Sequence, residues 1–160
     1  MFAGKTICMK NLFRFLTILF AVITLSALIA HLLELPGKIN LSKENYLVVQ
    51  SVYQGWSWLG IFEIGAVLFT MTWTIVDNRK KKIFPLLLTA LLCFMVSIAI
   101  FFIFTYPANK ATLNWTQLPD DWQILQKNWE YSHAARAILN LVGFSFLIVT
   151  LLKDRKSSFR

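Results

Sequence analysis

Acidic residues and cysteines are scarce in this chain of 160 residues. Eight Asp and Glu residues stand against sixteen Lys and Arg residues, which gives a net charge of +8. The two cysteines, Cys8 and Cys93, form no CxxC pair; one lies in the amino-terminal leader and the other inside an apolar run. We therefore expect no disulfide between them and no thiol-based redox enzyme.

Several nucleotide-binding patterns are also missing. The sequence holds no Rossmann glycine fingerprint and no P-loop, so neither a dinucleotide site nor an ATP site is predicted. It holds no internal repeat and no low-complexity segment. The basic residues form short clusters between apolar runs, whereas a nucleic-acid-binding protein gathers them on one polar face. No nucleic-acid partner is expected.

What the chain does have is apolar length. Its composition is 57% hydrophobic, which is more than ordinary soluble domains contain. A helix needs about 20 apolar residues to cross a bilayer, and four runs reach that length. These runs cover residues 13–33, 56–76, 83–106 and 134–152. They lack the two-residue alternation of a barrel strand. The sequence predicts an all-α fold, in which residues 1–160 form a single membrane domain of four antiparallel transmembrane helices.

The basic clusters predict the orientation of these helices. Eleven Lys and Arg residues lie in the leader, in the turn after the second run and in the carboxy-terminal tail, and four lie on the other side. The positive-inside rule places both termini in the cytoplasm. A cleaved signal peptide is the competing interpretation of residues 13–33. The apolar run is longer than a usual signal sequence, and no A-x-A site follows it, so we expect this segment to stay in the membrane.

The connecting segments predict where the helices begin and end. Residues 36–37, Pro-Gly, should end the first helix. Ser42 should cap the second helix, which we expect to run about 50 Å to Asp77. Residues 78–82 should form a tight turn that makes the second and third helices neighbours. Pro85 suits the first turn of the third helix, and a short interfacial helix should begin after Asp120.

A few ionisable residues interrupt the apolar runs, and lipid makes each of them costly enough to be a functional hypothesis. They are His31, Glu34, Glu63, Glu130, His133 and Arg136. Each histidine stands three residues from a glutamate, a spacing that places both side chains on one helix face. Residues 130–133 have the Glu-x-x-His order by which helical bundles bind two metal ions. At about 1.5 Å per residue, three helices bring these groups to a similar depth in the outer half of the bilayer.

This polar layer has four interpretations, which the sequence leaves open. In the first, one or two transition metals, with iron favoured, bind to a set of five side chains: His31, Glu34, Glu63, Glu130 and His133. In the second, the two histidines ligate a haem. In the third, the groups only form structural pairs, Arg136 with Glu63 or Glu34 and His133 with Glu130. In the fourth, they line a substrate pocket without a metal.

Part of the sequence also resembles a known family. The relevant residues are 106–110 (YPANK), Trp115, Trp122 and 129–136 (WEYSHAAR), together with 31–38 (HLLELPGK) near the end of the first helix. They resemble the anthrone oxygenase-like family of small four-helix membrane proteins, and residues 31–38 are similar to its bacterial members. The resemblance implies a place in a bacterial inner membrane. It also implies that Asn109, Trp129, His133 and Arg136 are the family's characteristic positions. Some relatives are associated with oxidising anthrones to anthraquinones with molecular oxygen.

The polar layer and the resemblance together predict a metal-dependent oxygenase or oxidoreductase with a lipophilic aromatic or quinone-like substrate. We assign catalytic roles to a set of five side chains: His31, Glu63, Asn109, His133 and Arg136. The histidines would be ligands or proton-transfer groups, the glutamates ligands or bases, and Arg136 would hold an anionic group. The alternative is a small membrane transporter or an accessory subunit whose polar cluster is structural.

Overall fold

The computed structural model describes the backbone of residues 2–157 and the side chains of residues 9–154. Within this part of the chain the regular structure is helical, with no strand. The α-helices are α1 (Phe2–Lys38), α2 (Lys43–Gln50), α3 (Gly60–Val76), α4 (Phe84–Ile100), α5 (Tyr106–Ala111) and α6 (Trp122–Ser157). Two short 3₁₀ turns, Ser51–Tyr53 and Trp56–Leu59, precede α3, and a π-helical segment, Phe101–Thr105, joins α4 to α5.

Four helical stretches are long and apolar enough to cross a membrane, as the sequence predicts. They are Met9–Lys38, Trp56–Val76, Phe84–Ala111 and Trp122–Asp154. Helix α1 packs against α3 and α6, and α4 packs against the same two helices. Large apolar side chains remain exposed along all four stretches, for example Phe15, Leu68, Met95 and Ile138. A soluble protein rarely leaves so much contiguous apolar surface in water, so this surface suits contact with lipid.

Two buried apolar clusters hold the helices together. The first draws on all four long helices and contains Ala21, Ala66, Trp73, Ile83, Leu87, Ala90, Phe94 and Leu147. The second lies at the end of the molecule that carries α2 and α5, and contains Tyr46, Ala108, Trp115, Trp122 and Trp129. The tryptophans in the second cluster bring α2, α5 and the start of α6 together, and this packing closes one end of the helix assembly.

The first helix does not end at Pro36-Gly37, so that prediction is wrong. Helix α1 includes Pro36 and continues to Lys38. The carbonyl oxygen of Lys38 accepts a hydrogen bond of 3.0 Å from the side chain of Gln126 on α6. A proline removes one helical hydrogen bond and its ring crowds the carbonyl four residues earlier, but only Gly37 and Lys38 follow Pro36 in the helix.

The expected 50 Å second helix is also wrong, because two separate helices occupy this region. Ser42 caps α2 as predicted, accepting a hydrogen bond from the backbone N–H of Asn45. Helix α2 ends at Gln50, and the backbone adopts a left-handed conformation at Gly55, where φ is +87°. Glycine adopts this conformation without the steric cost that a Cβ atom would bring. The break separates α2 from the short 3₁₀ turn Trp56–Leu59 that leads into α3.

The remaining connections largely follow the predictions. Residues 78–83 form a turn between α3 and α4, and Pro85 lies in the first turn of α4. Helix α6 begins at Trp122, just after Asp120, but it continues without a break into the fourth apolar stretch. The expected short interfacial helix is therefore the first part of α6.

An ionic cluster joins α1, α3 and α6 at the end of the molecule that carries the α3–α4 turn. The guanidinium of Arg14 lies 2.7 Å from Asp77 and 2.7 Å from Asp154. Lys80 lies 2.7 Å from Asp154 and 3.4 Å from Asp77. The indole N–H of Trp73 donates a further bond of 3.1 Å to Asp77. These contacts connect basic residues that the sequence alone explains by membrane orientation.

Candidate functional site

A cavity of about 530 Å³ lies at the end of the molecule that carries α2 and α5. Its walls come from α1, α3, α6, the π-helical segment, and the loops after α2 and α5. It is lined by all five side chains to which the sequence analysis assigns catalytic roles, namely His31, Glu63, Asn109, His133 and Arg136. Aromatic residues form much of the remaining wall, including Tyr53, Trp56, Phe101, Trp115 and Trp129.

The two histidines form a pair in this cavity. Their ring centroids lie 4.4 Å apart, and the indole of Trp129 packs against both rings, at 4.1 Å from His133 and 5.0 Å from His31. The Nδ1 atom of His133 lies 2.8 Å from the backbone carbonyl oxygen of Trp129. A carbonyl oxygen only accepts hydrogen bonds, so we assign the ring proton of His133 to Nδ1. Its Nε2 atom then keeps a lone pair for a proton or a metal.

Arg136 and Glu63 form a buried ion pair beside the histidines. The guanidinium of Arg136 donates a bond of 2.7 Å to Glu63, and Ser97 donates one of 3.0 Å to the other carboxylate oxygen. Asn140 in turn donates a bond of 2.8 Å to Ser97. The guanidinium also lies 4.9 Å from the ring centroid of Phe101. Both oxygens of Glu63 therefore have donors, whereas Nε of Arg136 is buried without a partner.

Lys38 lies at the centre of a second cluster of polar side chains. Its Nζ atom lies 3.3 Å from Glu34 and 3.3 Å from Glu130, although the residue is only 3% exposed. It also donates a bond of 2.9 Å to the hydroxyl of Tyr53, which itself donates to Glu34. Tyr46 donates a bond of 2.9 Å to Glu130, and burial together with that carboxylate raises the pKa of Tyr46. Both glutamates thus share one cation.

Asn109 presents a fixed amide to the cavity. Its Oδ1 atom accepts two indole N–H groups, from Trp115 at 2.9 Å and from Trp129 at 2.8 Å. Because both donors meet the oxygen, the amide orientation is set and the NH₂ group stays available to an acceptor. The loop from Leu113 to Trp115 has positive φ at three successive residues, from 48° to 62°. Such strained backbone is frequent at functional sites, and here it accompanies the return of Trp115 onto Asn109.

The structure divides the five predicted metal ligands among three places. Glu63 pairs with Arg136, Glu34 and Glu130 pair with Lys38, and only the two histidines lie together. Among the side chains of residues 9–154, no group of three or more His, Cys, Asp or Glu residues is arranged to hold a metal ion. The predicted pairing of Arg136 with Glu63 is present, whereas His133 bonds to a backbone carbonyl instead of Glu130.

Two parts of the site escape the sequence analysis. Lys38 counts there only as a charge outside the membrane, although its i,i+4 spacing from Glu34 is a signal for an ion pair on a helix. Tyr53 has no role in the prediction, and nothing in the sequence shows that its ring packs against His31. The ring centroids of Tyr53 and His31 lie 4.5 Å apart.

Comparison of the chain with protein-family models, with curated proteins and with solved structures found no match. The resemblance to the anthrone oxygenase-like family therefore stays a prediction. Independently of that resemblance, the cavity contains three kinds of group that can act on a ligand. They are a basic imidazole nitrogen on His133, N–H donors on Asn109 and Arg136, and aromatic walls that can hold a flat apolar molecule.

Proposed function

We propose that this chain is an integral protein of a bacterial inner membrane, with four antiparallel spans and both termini in the cytoplasm. The four long apolar helices, their exposed apolar side chains and the eleven-to-four distribution of basic residues support this proposal. The ionic cluster of Arg14 then lies near the cytoplasmic surface. The cavity lies in the outer half of the bilayer, where a lipophilic molecule can reach it.

We propose that the cavity binds a flat lipophilic ring compound with oxygen substituents. Ligand cavities usually have volumes of about 300–1,000 Å³ and apolar walls with a few polar groups, and this cavity has both properties. The amide of Asn109 and the guanidinium of Arg136 are suited to carbonyl or phenolate oxygens, because both groups donate N–H bonds. The rings of Trp56 and Trp129 both pack against His31 and both line the cavity, so they offer apolar surface to a ligand beside the histidines.

The reaction that the site supports best is the oxygenation of a ring methylene, as in an anthrone. The overall change is ring CH₂ plus O₂ giving ring C=O plus H₂O. Nε2 of His133 would remove one methylene proton, and the N–H donors would stabilise the resulting enolate oxygen. Oxygen would add to the ring carbon as a peroxide anion, which takes the proton back from His133 to give the hydroperoxide. The hydroperoxide then loses the second hydrogen of the ring carbon and its terminal OH as water, which breaks the O–O bond and leaves the ring C=O. The observation that carries this proposal is the 2.8 Å contact between Nδ1 of His133 and the carbonyl oxygen of Trp129 within an aromatic cavity, from which we assign a free lone pair to Nε2.

A transition metal bound by the histidine pair is the second form of the same proposal. The two imidazoles are close together, and imidazole suits iron, copper and zinc. The pairing of all three carboxylates with cations favours the proton-transfer form. Metal analysis of the purified protein, followed by assay after dialysis against a chelator, distinguishes the two forms. Activity that survives metal removal supports His133 as a base.

The function is tested with purified protein in lipid nanodiscs, using anthrone as the substrate. Oxygen uptake and the absorbance of anthraquinone are measured, and the rate without protein is subtracted. His133→Gln should lower kcat by about 100-fold or more, because it removes a general base. Gln can still donate to the carbonyl of Trp129, so folding should be kept. Tyr131→Phe is the matched control on the same helix, since Tyr131 is 56% exposed and should keep wild-type activity.

Two outcomes would contradict the proposal. If wild-type protein neither binds nor oxidises ring ketones, the polar layer is structural, and the transporter or accessory-subunit alternative is favoured. If His133→Gln and Tyr131→Phe have equal activity, His133 is not the base. Circular dichroism and size-exclusion chromatography of each variant separate a chemical effect from unfolding.

A further inference from the structure

One wall of the cavity opens sideways between α3 and α4. Ile64 on α3 and Phe102 on the π-helical segment both line the cavity. The same two residues are 57% and 60% exposed. A side chain that lines a cavity and is more than half exposed marks the edge of an opening. Because both residues are large and apolar, this edge suits lipid and not water.

The backbone explains why the opening lies at this height. Glu63 and Ser97 connect α3 to α4 through a hydrogen bond of 3.0 Å. Beyond that bond α3 begins at Gly60, which has no side chain, and no heavy atom lies within 4 Å of the position a Cβ would take there. The π-helical segment that continues α4 packs against α5 and α6. Ile64 directly follows Glu63, so the opening begins at the level of the Glu63–Ser97 bond and extends toward Phe102.

The polarity of the cavity changes toward this opening. Its lining includes the histidine pair, Arg136 and Asn109. The residues that line it beside the exposed Ile64 and Phe102 on this side are also apolar, namely Leu59 and Ile98. A second border is polar and exposed, and includes Gln54, Asn114 and Thr116. A ligand that matches this arrangement has a polar ring at one end and an apolar chain at the other.

We propose that the ligand is a tailed amphiphile, with an oxygenated ring in the cavity and an alkyl or isoprenoid tail that passes between α3 and α4 into the bilayer. This inference rests on the proposed membrane placement and ring binding. Each methylene drawn out of lipid costs free energy, so a tailed molecule can bring its ring into the cavity only through a side opening. A ring without a tail can also enter across the polar border.

The test compares two quinones that share one ring: decyl-dimethoxy-methyl-benzoquinone and the same dimethoxy-methyl-benzoquinone without the tail. Their dissociation constants are measured in nanodiscs from the quenching of tryptophan fluorescence. The concentration of the tailed quinone is given as the mole ratio of quinone to lipid. Ile64→Trp should narrow the opening and weaken binding of the tailed quinone by about tenfold or more. Binding of the tail-less quinone should stay within about twofold of wild type.

Matched control variants are available on the same elements. Ile61 on α3 is 55% exposed and does not line the cavity, so Ile61→Trp adds the same fluorophore without narrowing the opening. Phe102→Trp and Phe104→Trp form a second pair, because Phe104 is 45% exposed and also does not line the cavity. Variants that narrow the opening should discriminate between the two quinones, and their controls should not.

The outcomes separate this inference from the proposed function. If Ile64→Trp weakens both quinones equally, or acts no differently from Ile61→Trp, the side opening is not the route and the inference is overturned. If wild-type protein binds the tail-less ring but not the tailed one, the inference fails while ring binding stands. If wild-type protein binds neither quinone, the proposed ligand class fails, and the inference fails with it.

Discussion

At the scale of single residues, Asp77 shows how one carboxylate at the end of α3 can connect this helix to α1 and to the α3–α4 turn. It accepts bonds from Arg14 and Trp73 and lies 3.4 Å from Lys80. Burial by itself would raise the pKa of Asp77, but the hydrogen bond from Arg14, the positive charges of Lys80 and Arg14, and the bond from Trp73 outweigh it. The pKa of Asp77 is therefore held below its ordinary value.

This lowered pKa predicts a stability that depends on pH. Because the folded pKa lies below the unfolded one, the contribution of Asp77 is fully present above about pH 4 and is lost as the pH falls through the folded pKa. Thermal unfolding in detergent between pH 7 and pH 3 measures it. Asp77→Asn should lower Tm at pH 7 and should reduce the fall in Tm between pH 7 and pH 3. The exposed Asp120 supplies the control, Asp120→Asn, which should follow wild type. Equal acid slopes for wild type and Asp77→Asn would refute the assignment.

Sequence reasoning finds some of these residues and misses others for a physical reason. His31, Glu63, His133 and Arg136 stand out because lipid rejects ionisable groups, so their place inside apolar runs predicts a polar interior. Lys38 does not stand out, because it follows the apolar run 13–33, and a lysine just beyond a span can reach water with its long side chain. Its burial depends on Glu130, which is 92 residues away along the chain.

At the scale of helices, the number of long apolar helices is predictable from hydropathy, while several of their ends are not. Apolar length predicts four long helices because the backbone must satisfy its hydrogen bonds internally. The end of α1 depends instead on Gln126, a residue of another helix. The break at Gly55 depends on its positive φ, which a single glycine in the sequence permits but does not require.

The close approach of α1 and α3 gives a prediction at this scale. A Cβ atom on Gly65 would overlap the ring of Phe20, and that ring is already packed against Phe62 and Phe69. Gly65→Ala should lower the free energy of unfolding by about 1–3 kcal/mol, because the packed ring has little room to move. Titration with a denaturing detergent measures this change.

Gly60→Ala is the matched control for that substitution. Gly60 lies on the same helix, and no heavy atom stands within 4 Å of its Cβ position. Alanine there should be neutral, or should stabilise the helix by up to about 1 kcal/mol. If both alanine variants lose the same stability, the Phe20 contact is not the cause.

At the scale of the whole molecule, the distribution of basic residues predicts the orientation in the membrane. Green fluorescent protein fused after Arg160 should fluoresce, because it folds in the cytoplasm. Alkaline phosphatase inserted at Gln117 should be active, because that loop should face the outside. The same two reporters exchanged between these positions are the controls and should be silent. The reverse pattern would place the cavity in the cytoplasmic half of the bilayer.

The assembly of the site belongs to this scale and is the part least open to prediction. The depth of each polar residue follows from its distance along a helix, so the sequence predicts a common layer. Which partners meet depends on the rotation of each helix about its axis, and apolar spans carry little information about rotation. Glu130 therefore meets Lys38 and Tyr46, whereas its helical neighbour His133 faces His31.

The π-helical segment Phe101–Thr105 determines in which direction around the helix axis the side chains of the following residues point. Asn109 comes twelve residues after Ser97, and in a regular α-helix the two side chains would point about 120° apart. A π turn absorbs one extra residue, which reduces the difference to about 20°. Ser97 and Asn109 can then both bond to α6, at Asn140 and Trp129. Deletion of one residue here would leave a span of sufficient length but would turn the side chain of Asn109 away from Trp129. Among relatives of this chain, a one-residue insertion or deletion in this segment would therefore mark the loss of the site better than a substitution would.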